Sequence, residues 1–89
     1  MRTTLEQIKN LNINRHFVSE EQIKEITTLL KLENMNKNEL TAIRNKVVKG
    51  FYELEEEQED FLKRMEYYTA MSGTTAVIDN ILFKNGWLY

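Results

Sequence analysis

The chain has 89 residues, a length that suits one small domain near the lower limit of what a single hydrophobic core stabilises. Hydrophobic residues make up 42% and charged residues 29%, which excludes a wholly disordered chain. There is no proline, and the three glycines are too few for the turns of an all-β fold. The absence of cysteine excludes disulfides, thiolate metal sites and cysteine nucleophiles.

Charge is distributed unevenly along the chain. Residues 1–52 hold nine Lys/Arg and six Asp/Glu, a balance of +3, and residues 53–89 hold three and eight, a balance of −5, which together give −2. Such polarity can orient subunits head to tail, although an uneven surface is often simply solvated. The N-terminal residues lack the apolar core of a signal peptide, and no apolar run approaches the roughly 20 residues that span a bilayer. We therefore expect a cytoplasmic protein that does not enter a membrane.

Two short helices are predicted in the first third of the chain. Residues 3–10 form the first, with a narrow apolar stripe of Leu5, Ile8 and Leu11. The second begins after Ser19, because Ser19 and Gln22 have the spacing of a capping box. It is expected to end near Glu33, where asparagines cluster.

One long amphipathic helix over residues 38–71 is the dominant prediction. Its apolar positions fall within roughly 120° of a helical wheel, with Gly50 inside the same band. They are Leu40, Ile43, Val47, Phe51, Leu54, Phe61, Leu62, Met65 and Tyr68. Such a helix of about 34 residues would be about 50 Å long.

The remaining residues predict a turn and a last helix. Ser72, Gly73, Thr74 and Thr75 are expected to end the long helix, with Gly73 as its C-cap. A fourth helix would run to about Asn85, with Gly86 as a second C-cap. The expected fold is a small all-α bundle of about four helices, dominated by the long helix, in a single domain over residues 1–89.

Catalytic and metal-binding patterns are absent from the sequence. His16 is the only histidine, and the two serines, Ser19 and Ser72, do not complete a Ser/His/Asp arrangement. The acidic run over residues 53–60 lacks the Glu-x-x-His motif of di-iron bundles, and acidic helical runs are commonly just solvated. We expect a protein that is not an enzyme and that holds no metal or cofactor.

The long helix favours a protein-binding function, because it outreaches a compact domain of this length, whose radius of gyration is about 12 Å. A second chain could cover the excess, so an antiparallel homodimer is predicted, in addition to or instead of a foreign protein partner. Carboxylates would supply charge complementarity and aromatic side chains would act as anchors, although the aromatic cluster, which includes Tyr68 and Tyr89, could instead cover the last helix. The candidate residues are Tyr52, Glu53, Glu56, Glu57, Asp60, Tyr67 and Trp87.

Two alternatives remain open from the residues alone. The second helix, the asparagine-rich turn and the start of the long helix could form a helix-turn-helix that binds DNA. The basic side chains facing phosphates would be Lys37, Arg44, Lys46 and Lys49, although the pI of 5.4 and the acidic continuation of the helix oppose this. The other alternative is a purely structural homo-oligomer.

A weak family resemblance lies in the C-terminal region. Residues 71–79, Met-Ser-Gly-Thr-Thr-Ala-Val-Ile-Asp, followed by Asn80, Ile81 and Leu82, resemble the tails of small accessory proteins from phages and prophages of Gram-positive bacteria. The preceding Glu/Gln-rich helix resembles them as well. The resemblance implies a bacterial host cell and a role in host takeover, counter-defence or phage gene regulation, each of which depends on binding another molecule.

Overall fold

The computed structural model describes residues 1–14 and 16–87, and this part of the chain folds into four helices. They are α1 (Arg2–Lys9), α2 (Glu20–Leu30), α3 (Lys37–Glu57) and α4 (Phe61–Lys84). The predicted all-α bundle of about four helices is confirmed. The molecule measures 39 × 23 × 23 Å. Among the described residues, no helix is both long and apolar enough to cross a membrane.

The prediction of one continuous helix over residues 38–71 is wrong. The helix does pass through Gly50, but α3 ends at Glu57 and α4 begins at Phe61. Gln58 and Asp60 between them have extended backbones, and the Asp60 carboxylate accepts a hydrogen bond from the Leu62 N–H at 2.9 Å. Asp60 is thus an N-cap, which starts a new helix although the glutamates before it have high helix propensity.

The break reverses the chain, so α3 and α4 pack along each other as an antiparallel hairpin. An ion pair joins them, in which Arg44 Nε lies 2.8 Å from Asp79 Oδ1. Helix α1 crosses both helices of the hairpin, and α2 packs on α1 and α4. Fully buried apolar side chains from all four helices and from the α2–α3 connection, which supplies Leu32, meet between these layers: Leu5, Ile8, Ile26, Leu32, Leu40, Val47, Phe51 and Ile78.

The break also changes which side of α4 is buried. The core side carries Tyr67, Ala70, Met71, Thr74, Val77, Ile78 and Leu82. Phe61, Leu62, Met65 and Tyr68, which were expected in the apolar band, are instead 70, 70, 46 and 46% exposed. Their wheel positions were counted from α3, and the non-helical residues before Phe61 make that count invalid.

The predicted turn at residues 72–75 is also wrong, because α4 continues through it. Gly73 is buried within the helix. The Thr74 hydroxyl donates to the Ala70 carbonyl at 2.8 Å, and the Thr75 hydroxyl donates to the Ser72 carbonyl at 3.0 Å. These bonds satisfy the threonine hydroxyls inside the helix. The segment predicted as a fourth helix is therefore the second half of α4.

The helix caps predicted at Ser19 and Gly86 are present in the structure. Ser19 and Gln22 form the expected capping box, although α2 ends at Leu30 rather than near Glu33. Gly86 has a φ of 73°, and the Trp87 N–H donates to the Leu82 carbonyl at 2.9 Å, which is the bond of a Schellman motif. The prediction of a glycine C-cap at this position is confirmed.

We expect Gly73→Ala to lower the free energy of unfolding by about 1 kcal/mol, because overpacking exceeds the gain in helix propensity. A Cβ at Gly73 would lie only 2.6 Å from Cγ2 of Ile13, which is 7% exposed. In an Ile13→Ala background, which lacks that methyl group, the same change should raise stability. Urea denaturation of the original protein, the two single variants and the double variant measures the coupling free energy between positions 13 and 73. Additive effects of the two changes would contradict a steric contact between them.

Lys31→Gly should raise the free energy of unfolding by about 0.5–1 kcal/mol. Lys31 ends α2 with a φ of 56°, a conformation that is strained for any residue with a Cβ. Lys24→Gly, at an exposed position inside the same helix, is the matched control and should lower stability by about 1 kcal/mol. Thermal denaturation would contradict the assignment if both variants shifted Tm in the same direction.

Candidate protein-docking surface

Helix α4 is apolar on two opposite sides. One side faces the core, and the other, here called the outer face, spans roughly 120° of the wheel and carries the exposed large apolar side chains of α4. The outer face consists of Phe61, Leu62, Met65, Tyr68, Thr69, Ser72, Ala76, Asp79, Asn80 and Phe83. Asp79 is its charged member, and Arg44 binds that carboxylate. A helix that is apolar on both sides is typical of one that is covered on both sides.

The two halves of the outer face differ in shape. Large side chains protrude from the N-terminal half, where Phe61 and Leu62 are the most exposed. In the C-terminal half, the small residues Ser72 and Ala76 lie beside a groove of about 290 Å³, and Phe83 protrudes at the far end. Phe17, which is 68% exposed, lines the groove opposite α4. The surface therefore offers both apolar projections and an apolar recess.

These residues were not among the sequence-based candidates. The apolar residues of the first turns of α4 had been assigned to the core of the long helix. The signal that could have found them is Asp60, which has the residue type of an N-cap and directly precedes Phe61. With the helix restarted there, the apolar residues of positions 61–84 fall on every side, which one core cannot cover.

Tyr67 is not an exposed anchor, and that interpretation is corrected. Its side chain is 7% exposed, and its hydroxyl donates a hydrogen bond to Glu6 Oε1 at 2.6 Å. Lys9 Nζ lies 5.1 Å from the centre of the Tyr67 ring and 3.4 Å from Glu66 Oε2. Tyr67 therefore holds α1 against α4, and the hydrogen bond to Glu6, together with burial, raises its pKa to about 12.

Trp87 and two of the candidate carboxylates, Glu57 and Asp60, also make contacts within the fold. Trp87 is half-buried and packs on the core behind Gly86. Glu57 pairs with Arg2 at the start of α1, and Asp60 caps α4. Tyr52 and the carboxylates Glu53 and Glu56 are exposed on α3 and available to a partner. Tyr89 lies outside the described residues.

The candidate DNA-binding residues do not form one face. Arg44 is bound to Asp79, and Lys37 and Lys46 are nine positions apart on α3, which places them on opposite sides of the helix. Lys49 is exposed as well. Helix α2 packs on α1 and α4 rather than closely on α3, so α2 and α3 do not have the arrangement of a helix-turn-helix.

In residues 1–14 and 16–87, no group of three His, Cys, Asp or Glu side chains is placed to hold a metal ion. Within the same residues, every buried side-chain nitrogen or oxygen has a hydrogen-bond partner. Comparison with known proteins finds no matching family model, curated protein or solved structure.

The raised pKa of Tyr67 predicts that stability falls at alkaline pH. The neutral phenol is favoured in the fold, so its contribution is complete below pH 10 and is lost as pH rises from 10 towards about 12. We expect a loss on the order of 1–2 kcal/mol over this range that is absent in Tyr67→Phe. Denaturant titrations of both proteins at pH 8 and pH 11 measure it. A constant difference between the two proteins would contradict the assignment.

Proposed function

We propose that this chain is a non-enzymatic protein-binding module that acts by docking the outer face of α4 on a protein surface. The observation that carries the proposal is the exposed row of Phe61, Leu62, Met65 and Tyr68 on a helix whose other side already forms the core. Contiguous exposed apolar patches on small soluble proteins mark interaction sites more often than isolated apolar residues do.

The energetics of the outer face support a docking role. Large apolar side chains contribute about 1.5–3 kcal/mol each when they are transferred from water to a buried site. The protruding side chains lie within two turns of one helix, so a single partner can cover them together. A cluster of this kind, with Phe61 and Tyr68 at its two ends, has the character of a binding hot spot.

The carboxylates near the α3–α4 connection would add specificity rather than most of the affinity. Glu53 and Glu56 are exposed in the last turns of α3, which precede the connection to α4. Solvated charges at the rim of an interface mainly raise association rates and reject partners of like charge. We therefore propose a partner surface that is apolar at its centre and basic at the side that meets these carboxylates.

The C-terminal resemblance extends this proposal to a biological role. If the chain is encoded by a phage, its partner would be a host protein that it modulates or inhibits, including a defence protein. Such a role requires a surface that binds and no reaction centre, and the outer face of α4 provides a surface of that kind.

Met65→Glu tests the proposal, because it places a charge at the centre of the outer face without removing a core side chain. Binding to the partner should weaken at least tenfold, which is about 1.4 kcal/mol or more. Ala42→Glu, at an exposed position of α3, is the matched control and should bind like the original protein. Immobilised samples of all three proteins are incubated with a bacterial lysate, and the retained proteins are identified by mass spectrometry.

A partner retained by the original protein and Ala42→Glu, and lost by Met65→Glu, is the expected result. Purified partner and isothermal calorimetry then give the ratio of affinities. Circular dichroism must show equal helicity for the three proteins. The same set of proteins retained by all three would overturn the outer face as the docking surface.

A further inference from the structure

We propose that the outer face of α4 is occupied by a second copy of this chain, with the two α4 helices antiparallel and related by a two-fold axis at Ser72. This rests on the proposed function, because it names the partner of the same surface. Four features support it: the pairing of large with small side chains across the contact, the shapes of the two halves of the outer face, the positions of the charges and the exposed apolar area.

Three pairs of outer-face positions lie at equal distances before and after Ser72: 61 and 83, 65 and 79, and 68 and 76. In an antiparallel pair centred there, residues at equal distances before and after position 72 face each other. Tyr68 therefore faces Ala76 of the partner subunit, so a large side chain meets a small one on each side of the axis. Phe61 faces Phe83 of the partner subunit, so an aromatic pair closes each end of the contact.

The serine at the axis allows the two helices to approach closely, as small residues do wherever helices cross at short distance. Met65 faces Asp79 of the partner subunit, and that carboxylate is already bound by Arg44 of its own chain. Arg64 is exposed beside Met65 and can approach the same carboxylate. The one charged position of the outer face thus remains paired in the dimer.

The shapes of the two halves of the outer face also fit the proposed two-fold axis. The protruding half of one copy lies over the recessed half of the other, where Ser72 and Ala76 border the groove beside Phe17. Tyr68 would stand at the mouth of that groove, which has a volume of about 290 Å³. Because a two-fold axis repeats the contact, each copy supplies one projection and one recess. A foreign partner would not require this match between the two halves of one helix.

Charge favours the antiparallel arrangement over a parallel one. The acidic residues from Glu53 to Asp60 lie at the end of the molecule where α3 meets α4, and Lys84 lies in the last turn of α4 at the far end. The two-fold axis places this acidic end at the same level along the contact as Lys84 of the partner subunit. A parallel pair would instead place the two acidic clusters side by side, which costs free energy.

The exposed area is sufficient for a dimer of modest affinity. Six large side chains, which are 46 to 70% exposed, border the contact: Phe17, Phe61, Leu62, Met65, Tyr68 and Phe83. At about 100 Å² each, they provide on the order of 600 Å² per copy, or about 1,200 Å² in total. That value is at the lower end for specific interfaces, so we expect a dissociation constant on the order of micromolar.

Molecular mass tests the dimer directly. Sedimentation equilibrium across about 5–200 μM should give twice the chain mass of 10.6 kDa at the upper concentrations. Met65→Glu should sediment as one chain over the whole range, and Ala42→Glu should dimerise like the original protein. Helicity measured by circular dichroism separates loss of the dimer from loss of the fold.

Crosslinking tests the register, and the absence of cysteine in the sequence makes single-cysteine variants unambiguous. Ser72→Cys should form a disulfide with itself on mild oxidation, because the two-fold axis brings its copies within bonding range. Phe61→Cys and Phe83→Cys, carrying different tags and mixed, should crosslink to each other at least tenfold more than to themselves. Ala42→Cys should remain uncrosslinked.

The outcomes separate this inference from the function on which it rests. Crosslinking of Phe61→Cys to itself would indicate a parallel pair and overturn the inference. A monomer at all concentrations would also overturn it. If such a monomer still retains a lysate protein that Met65→Glu loses, the proposed function stands with a foreign partner. If it retains none, both proposals fail.

Discussion

Chain reversal at residues 58–60 is the constraint on which the rest of the molecule depends. A helix that ran through these residues would carry the apolar residues of α4 away from α3, and no core of this size could form. The Asp60 carboxylate supplies the hydrogen bond that starts α4 in its new direction. Reversal lets Arg44 bind Asp79, and it places α3 and α4 side by side, so that α1 packs on both helices. The outer face of α4 is exposed for the same reason.

The sequence predicts the local elements of this fold better than their arrangement. Ser19 with Gln22 and the glycine at position 86 act through hydrogen bonds to residues a few positions away, so their roles can be read from spacing alone. The break after Glu57 is different. Five of the eight residues from position 53 to position 60 are glutamates, whose helix propensity predicts continuation, and tertiary packing of α4 on α3 overrides it.

An error in helix phase changes which side chains are assigned to the surface, and therefore which residues are proposed to bind a partner. Counting wheel positions from α3 placed Tyr67 at the surface and Met65 in the core, and the structure has them the other way round. Of the residues predicted from the sequence to bind a partner, Tyr52, Glu53 and Glu56 are exposed, and Tyr67 is buried. Partners inside the fold, such as Glu6 for Tyr67 and Arg2 for Glu57, are more than fifty residues away in sequence and leave no local pattern.

Helix α1 has a consequence for the order in which the molecule folds. It has eight residues, fewer than the 12–15 or so that an isolated helix needs to be even marginally stable in water. Its helical structure therefore depends on the contacts of Leu5 and Ile8 with the hairpin and on the polar links through Glu6 and Lys9. For α1, packing on the hairpin and helix formation therefore occur together. We therefore expect α1 to exchange its amide protons with solvent before the longer helices α3 and α4.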